Sequence, residues 1–375
     1  MFKKINNISD IQPAVAHKKE IKFFRQPNGI MLGCYLFMDR DTFDVPEALE
    51  CRGICFGPSG TVVSRPLHKF FNVGEKEWLM PEQVMARDDI AAIFEKLDGS
   101  MLATAWIDGK LVWRSKQSFA SEVVKLTNAF LAEPENAGIA NFATEVARQG
   151  MTAIFELTHP GARIIVAPDR PRLRLLHVRD NTSGAYVMLD AAHDIHKLIE
   201  RFEIPLVKRF EELTVKDLLS SLETMQEREG YVIQFANGDM AKVKCPWYTR
   251  LHSAVSFLRE RDIARLALEQ NLDDVKGALS ELGIDLCEVN KVETRLKNAL
   301  TALLDEIDGV YQAGKDLDRK TFAIQNKAHP LFGLIMLRYT GKEIDIADWY
   351  GRNRLKEEFG LRTLANDALA EAMDG

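Results

Sequence analysis

No stretch of this sequence approaches the roughly 20 uninterrupted apolar residues of a membrane helix. The first twenty residues, Met1 to Glu20, mix charged with apolar side chains and build no apolar secretory leader. Neither a membrane span nor export is expected, and a cytoplasm is the expected compartment. Cysteine is sparse and odd in number. Cys34, Cys51, Cys55, Cys245 and Cys287 lack metal-ligand spacing, which argues against a disulfide framework and for free thiols in a reducing compartment. Cys51 and Cys55 would share a face of a strand, but two thiols alone do not complete a zinc site. Positive charge is not in excess either. A net charge of -6 excludes a broad basic coat for indiscriminate nucleic-acid binding, though a local basic groove needs only a handful of Lys and Arg. Internal repeats, low-complexity linkers and long charge runs are absent, as is any Ser/His/Asp or Cys/His constellation. His193 and His196 are spaced like two ligands on a helix, but no third ligand accompanies them, and they read as surface histidines.

What is present suits a globular protein. An apolar content of 46% is enough for a substantial core, and 375 residues exceed the usual single domain, so a second domain is expected. From about Glu20 to Tyr248 short strands alternate with turn signals. Hairpins are predicted for Met101–Ile107 with Lys110–Lys116 through Asp108-Gly109, and for Arg174–Arg179 with Ala185–Leu189. Two more join Tyr231–Phe235 to Met240–Lys244 near Asn237-Gly238, and Arg52–Phe56 to Thr61–Ser64. After Tyr248 the apolar period lengthens. Val289, Val292, Leu296, Leu300, Leu303, Ile307 and Val310 recur at helical spacing, with Asp285 and Glu288 as a capping pair. Further helices are predicted near Pro330–Tyr339, Ile344–Phe359 and Leu361–Met373. The expected fold is α+β: a domain of antiparallel sheets and helices over 1–248, followed by an all-α domain over 249–375.

The sharpest local signal is Lys96-Leu97-Asp98-Gly99-Ser100, just ahead of a strand. It fits a surface turn, since Asp-Gly-Ser is ordinary turn chemistry. It fits equally a lysine nucleophile held at the mouth of a sheet. In Met240-Ala241-Lys242-Val243-Lys244 the strand period sends Lys242 and Lys244 to one face, as a solvated edge or as a pair of phosphate ligands. Glu156, inside the apolar run Ile154-Phe155-Glu156-Leu157, is costly to bury alone and should have a partner. Glu229 precedes Gly230-Tyr231-Val232 and taken singly reads as a solvated residue.

The order of these elements is more specific than any one of them. Lys96-Leu97-Asp98-Gly99-Ser100, Ser115-Lys116, Phe155-Glu156-Leu157, Glu229-Gly230-Tyr231-Val232 and Lys242-Val243-Lys244 resemble motifs I, Ia, III, IV and V of the covalent nucleotidyltransferases. The flanking text narrows the match. Pro46 to Ile54, Ser64-Arg65-Pro66, Lys69-Phe70-Phe71-Asn72, Asp318-Arg319-Lys320-Thr321 and Leu331-Phe332-Gly333 resemble the bacteriophage RNA ligase 1 family. The resemblance implies a nucleotidyltransferase domain and an ATP-dependent RNA ligase that joins RNA 5'-phosphate and 3'-hydroxyl ends through lysyl-AMP and RNA-adenylate. Lys96 would carry AMP, Glu156 would receive a ribose hydroxyl, and Lys242 and Lys244 would contact phosphates. Arg52, Lys69 and Lys116 match further basic residues around the nucleotide, Tyr35 a tyrosine lining it, and Glu229 a carboxylate associated with Mg2+. The sequence departs from the superfamily at Leu175 to Arg179, where many members carry an aromatic for adenine, and at Gln117, where glycine is common.

The chemistry is consistent with those implied roles. A free lysine titrates near about 10.4, so a nucleophilic one needs neighbours that disfavour its charge. Lys242, Lys244, Arg52 and Lys69 would supply them and also stabilise charge on the departing pyrophosphate. A DNA ligase shares the central motifs but ordinarily continues into a small β-barrel, whereas this chain turns helical. A capping enzyme fails on the same ground and would use GTP. A silent RNA-end-binding protein would have no need of Lys96, Glu156, Lys242 and Lys244 together. The resemblance further implies single-stranded or nicked RNA as partner, in particular tRNA broken in its anticodon loop. It also implies a bacterial host cytoplasm for a viral source; a monomer and functional coupling to a polynucleotide kinase-phosphatase are further expectations, which the residues themselves leave open. Arg319, Lys320 and the face with Arg259, Arg261 and Arg265 are the expected RNA contacts of the tail, although a basic helix face is ordinarily just solvated.

Overall fold

A computed structural model describes residues 2–26, 28–162, 164–166, 168–190, 193–256, 259–281 and 286–360. The chain divides into two compact units, Met1–Thr249 and Arg250–Gly375.

The first unit holds thirteen strands among the described residues: β1 Ile21–Arg25, β2 Met31–Tyr35, β3 Arg52–Phe56, β4 Val62–Ser64, β5 Phe71–Asn72, β6 Ile90–Lys96, β7 Ser100–Ile107, β8 Lys110–Arg114, β9 Met151–Thr158, β10 Arg172–Asp180, β11 Tyr186–Val187, β12 Gly230–Phe235 and β13 Met240–Lys244. They form three sheets, β1-β2-β3-β4, β11-β10-β9-β7-β8 and β5-β13-β12-β6. All four expected hairpins are present. The β7–β8 turn places Asp108 and Gly109 at φ 50° and 73°, the left-handed pair a two-residue hairpin requires. One pairing departs from the antiparallel expectation, because the short β5 runs parallel to β13.

Strand alternation explains how the last two sheets bury both faces. On β9, Met151, Ala153, Phe155 and Leu157 pack with Val124, Phe142, Val146 and Ile195 from the helices Glu122–Ala132, Ala137–Arg148 and Asp194–Arg201. The alternate residues Ile154 and Glu156 face the other way. In the third sheet Ile93, Tyr231, Ile233, Ala241 and Val243 pack on Val84, Val215 and Leu218. Its opposite face sets Met240 and Val232 against Ile154, Met101 and Leu176 of the second sheet. Lys96, Lys242 and Lys244 share that inner face.

A buried ionic knot ties the first sheet to the second. Glu50, just ahead of β3, accepts from Arg65 at 2.8 and 3.1 Å and from Arg179 of β10 at 2.8 and 2.9 Å. Both guanidinium groups are fully buried and also donate to the carbonyls of Lys3, Thr182, Pro66 and Gly184. Burial alone would push the Glu50 carboxyl up, but Arg179 and Arg65 hold it at about 2.

Every regular element described wholly in the second unit is a helix. The longest, Cys287–Gly314, buries Val289, Val292, Leu296, Leu303 and Ile307, the stripe expected from the period. Phe332–Tyr339 also forms, and the expected Ile344–Phe359 helix is broken into Ile346–Asn353 and Leu355–Glu358. Asp285 and the segment Leu361–Met373 lie outside the described residues. Arg261 was an expected RNA contact, yet its guanidinium donates to the carbonyls of Phe359 and Lys356 at 3.0 Å each. Those bonds give it a structural task, satisfying backbone acceptors at a helix end.

Replacing Glu50 with Gln leaves two guanidinium groups buried without a counter-charge, and should lower stability by about 3–5 kcal/mol in urea unfolding. A loss below about 1 kcal/mol, the scale of a solvated pair, would contradict the buried knot.

Candidate active site

Lys96 ends β6 in the third sheet, and Ser100 begins β7 in the second, so the chain crosses between sheets in three residues. Leu97 is buried. Asp98 Oδ2 accepts from the backbone N–H groups of Ile165 and Val166 at 2.7 and 2.6 Å, and its Oδ1 accepts from the Tyr248 hydroxyl at 2.7 Å. At Gly99 a Cβ would lie 2.4 Å from the Leu157 carbonyl oxygen, so only glycine allows β9 to approach. The five-residue signal is therefore a crossover pinned from both sides.

The register of the third sheet then assembles the charges. Gly230 of β12 pairs with Lys96 on one side and Lys244 on the other. Glu229 immediately precedes it and is buried between the two lysines. Lys96 Nζ lies 2.7 Å from one carboxylate oxygen and Lys244 Nζ 2.9 Å from the other. Gly230 sits at φ 143° with a hypothetical Cβ 1.9 Å from the Val243 carbonyl oxygen, which bars any side chain beside this carboxylate. Glu229 is thus a central, buried member of the cluster, not the solvated residue its sequence context suggests.

Lys242 lies two residues back on the same face. Burial, joined by repulsion from Lys69, Arg52, Lys96 and Lys244, pushes its ammonium down to about 7. Burial also lowers Lys69 and Lys116, with Arg52 adding to both. Lys116 Nζ donates to the Tyr35 carbonyl at 3.2 Å and lies 3.5 Å from the centroid of its ring. Arg52 is 5.7 Å and Lys242 5.5 Å from the Phe70 ring centroid.

Glu156 carries the opposite perturbation. Burial pushes its carboxyl up to about 7, with Lys96 opposing and Glu229 adding to the rise. The partner expected for it is not found: Glu156 has no ion pair among the described residues. Its upward displacement lets the carboxyl carry a proton near neutral pH, so a dedicated counter-ion is not required. All nine residues singled out from the sequence, Tyr35, Arg52, Lys69, Lys96, Lys116, Glu156, Glu229, Lys242 and Lys244, are linked by these contacts and mutual charges.

Several neighbours were missed. Tyr248 sits in the first turn of the helix Pro246–Ser256, which starts two residues after β13; Pro at a first helical position was the available signal. Asn72 pairs in register with Lys242, and its Oδ1 is buried without a partner among the described residues. Arg174 stands opposite Glu156 on β10 and lines, with Lys96, Arg172 and Arg228, a cleft of about 160 Å³. On β10 a bulge between Leu175 and His177 sets Leu176 among the inner-face apolar residues. His177 is buried with its ring 5.3 Å from that of Phe94, and burial holds it at about 3.

The two displaced titrations give stability effects of opposite sign. Glu156 binds its proton more tightly folded than unfolded, so it costs stability as pH rises past its ordinary range, fully above about 7. Lys242 binds its proton less tightly folded, so its cost is full below about 7 and fades toward its ordinary range near 10.5. Glu156→Gln should raise Tm most at alkaline pH and Lys242→Met most at acidic pH. Parallel Tm differences between pH 5 and 10 for the two variants would contradict this assignment.

A family model described as RNA ligase matches residues 50–248. A protein of Thermovibrio ammonificans named "Putative RNA ligase" is 28% identical over 308 residues, 79% of this chain and 79% of that one. RNA ligase 1 of Bacteriophage TS2126 is 31% identical over 271 residues, 68% of this chain and 65% of the phage protein. Among solved structures an archaeal ATP-dependent RNA ligase, form 2, overlaps 85% of this chain and 86% of its own at 14% identity and a TM-score of 0.48. The family match spans more than half of the chain, and it contains Lys96, Glu156, Glu229, Lys242 and Lys244. The chain belongs to the bacteriophage RNA ligase 1 family of RNA ligases.

Proposed function

We propose that this protein seals RNA ends with ATP through a covalent AMP on Lys96. The observation that carries the reading is the buried Glu229 carboxylate holding Lys96 and Lys244 at 2.7 and 2.9 Å, within a ring of further cations. An amine at the rim of a cleft, surrounded by groups that bind phosphate, suits attack on a nucleotide α-phosphate.

In the first step the Lys96 ammonium gives up one proton to become the attacking amine; as the P–N bond forms and the P–O bond to pyrophosphate breaks, the nitrogen sheds a second proton to solvent or to the departing pyrophosphate. Lys242, Lys69, Arg52 and Lys116 offset the charge on the departing pyrophosphate. In the second step an RNA 5'-phosphate oxygen displaces Lys96, which recovers a proton. In the third an RNA 3'-hydroxyl attacks that 5'-phosphate, loses its proton and releases AMP. Glu156 stands ready to accept a ribose hydroxyl, and Met101, Leu176 and Val232 offer apolar walls for the base.

Among the described residues no three His, Cys, Asp or Glu side chains group as a metal cage. Glu229, with Glu156 close enough to feel its charge, fits instead a Mg2+ held by one or two carboxylates, water and substrate phosphates. Such an ion would supply Lewis-acid stabilisation of phosphate charge. Taking up the Glu229 carboxylate would also free the Lys96 amine from its ion pair.

The second unit is proposed to select the RNA, a broken tRNA in particular. With Arg261 bound to backbone carbonyls, Arg319 and Lys320, exposed at the start of the helix Arg319–Asn326, and the exposed Arg259 and Arg265 are its remaining candidates. Protein incubated with α-labelled ATP and Mg2+, then denatured, should retain label, and Lys96→Ala should retain none. The wild type should also circularise 5'-phosphorylated single-stranded RNA. Faster sealing of nicked duplex DNA would move the assignment to a DNA ligase.

A further inference from the structure

The cationic end of the site continues outward as a series of rings. Lys116 caps Tyr35, and Tyr35 meets Phe43 edge-on at 5.2 Å between centroids. Phe43 meets Phe71 at 5.8 Å, and Phe71 meets Trp78 at 6.5 Å with the planes at 89°. Ammonium groups accompany the rings. Lys69 Nζ lies 5.7 Å from Phe43 and 4.8 Å from Phe71, and Lys76 Nζ lies 4.9 Å from Phe71. Tyr35 and Phe43 are half-buried, Lys69 and Phe71 are buried, and the series ends at Trp78, which is 56% exposed.

Trp78 is not on a loose end. It occupies the short helical turn Glu77–Leu79, whose Leu79 is buried in the third sheet's core, and the Gly74 N–H donates to the Leu79 carbonyl at 2.8 Å. A scattered exposed hydrophobic residue needs no explanation. An indole fixed at the outer end of a row of rings and ammonium groups, which starts in a phosphate site, has the composition of a single-strand stacking platform.

The direction of the chemistry says which strand would reach it, an argument that rests on the ligase reading above. In-line displacement at phosphorus puts the incoming group opposite the leaving group. Lys96 enters opposite pyrophosphate, so the RNA 5'-phosphate that later expels Lys96 must enter from the pyrophosphate side. Its oxygen bonds to the AMP phosphorus while the P–N bond breaks and the electron pair returns to Lys96 with a proton. The cations that received pyrophosphate, Arg52, Lys69, Lys116 and Lys242, then receive the 5'-phosphate. We propose that Trp78 stacks on a base among the first nucleotides of the 5'-phosphorylated RNA strand, with Lys76 beside its backbone.

The full-length protein tests this with 5'-phosphorylated RNA oligonucleotides. Trp78→Ala should take label from α-labelled ATP at the wild-type rate but raise the KM for the 5'-phosphorylated strand about 5- to 100-fold, the worth of one stacked base. Trp78→Phe should restore most of the loss. Removing the base from the first nucleotides in turn should find one position where the wild type loses as much as Trp78→Ala, and where the variant loses nothing more. Equal KM for Trp78→Ala and wild type, or a loss indifferent to which base is present, overturns the stacking role while leaving the ligase reading intact. Failure of the wild type to take label overturns both.

Discussion

The arrangement depends on one buried carboxylate set between two ammonium groups. Glu229 can bridge Lys96 and Lys244 only because the residue after it, Gly230, is paired in register with both of them. That register needs a backbone at φ 143° with the Val243 carbonyl where a side chain would be, so the glycine is as necessary as the acid. A shift of one residue in β12 would turn every side chain to the other face and part the three charges.

Around that pair the molecule accepts electrostatic cost. Lys242 and Glu156 are pushed toward neutrality from opposite directions, the amine down and the carboxyl up, both to about 7. Cations gathered on one face of a sheet repel one another until polyanionic phosphate arrives, and a cleft between two sheets weakens their solvation. Such a site works against folding and toward ligand binding. The rest of the first unit compensates with rigid connections: the Glu50 knot with Arg65 and Arg179, the glycine-tight crossover at Gly99, and Asp98 tied to two backbone amides and the Tyr248 hydroxyl.

Much of this was legible because it is local. Asp108-Gly109 marks a hairpin turn, the alternation in Met240 to Lys244 puts two lysines on one side, and the three- and four-residue steps after Val289 announce a long helix. What was not legible is long-range. Nothing near Glu229 says that it will be buried, and nothing near Glu156 says that its strand is covered on one face by helices and opens on the other to a cleft. Arg261 looks like an RNA contact in sequence because a free guanidinium and one bound to helix-end carbonyls are the same letter. The bulge at Leu175–His177 likewise leaves no local mark.

Sequence alone determined the fold class, the order of the chemical residues and the family, because strand and helix periods, turn glycines and motif order are properties of the chain read in one dimension. Tertiary structure alone decided which charges touch. Lys96 and Glu229 are 133 positions apart, and their 2.7 Å contact exists only once β6 and β12 have paired. Ionisation follows burial and neighbours, and both are set by packing between sheets that no single segment encodes.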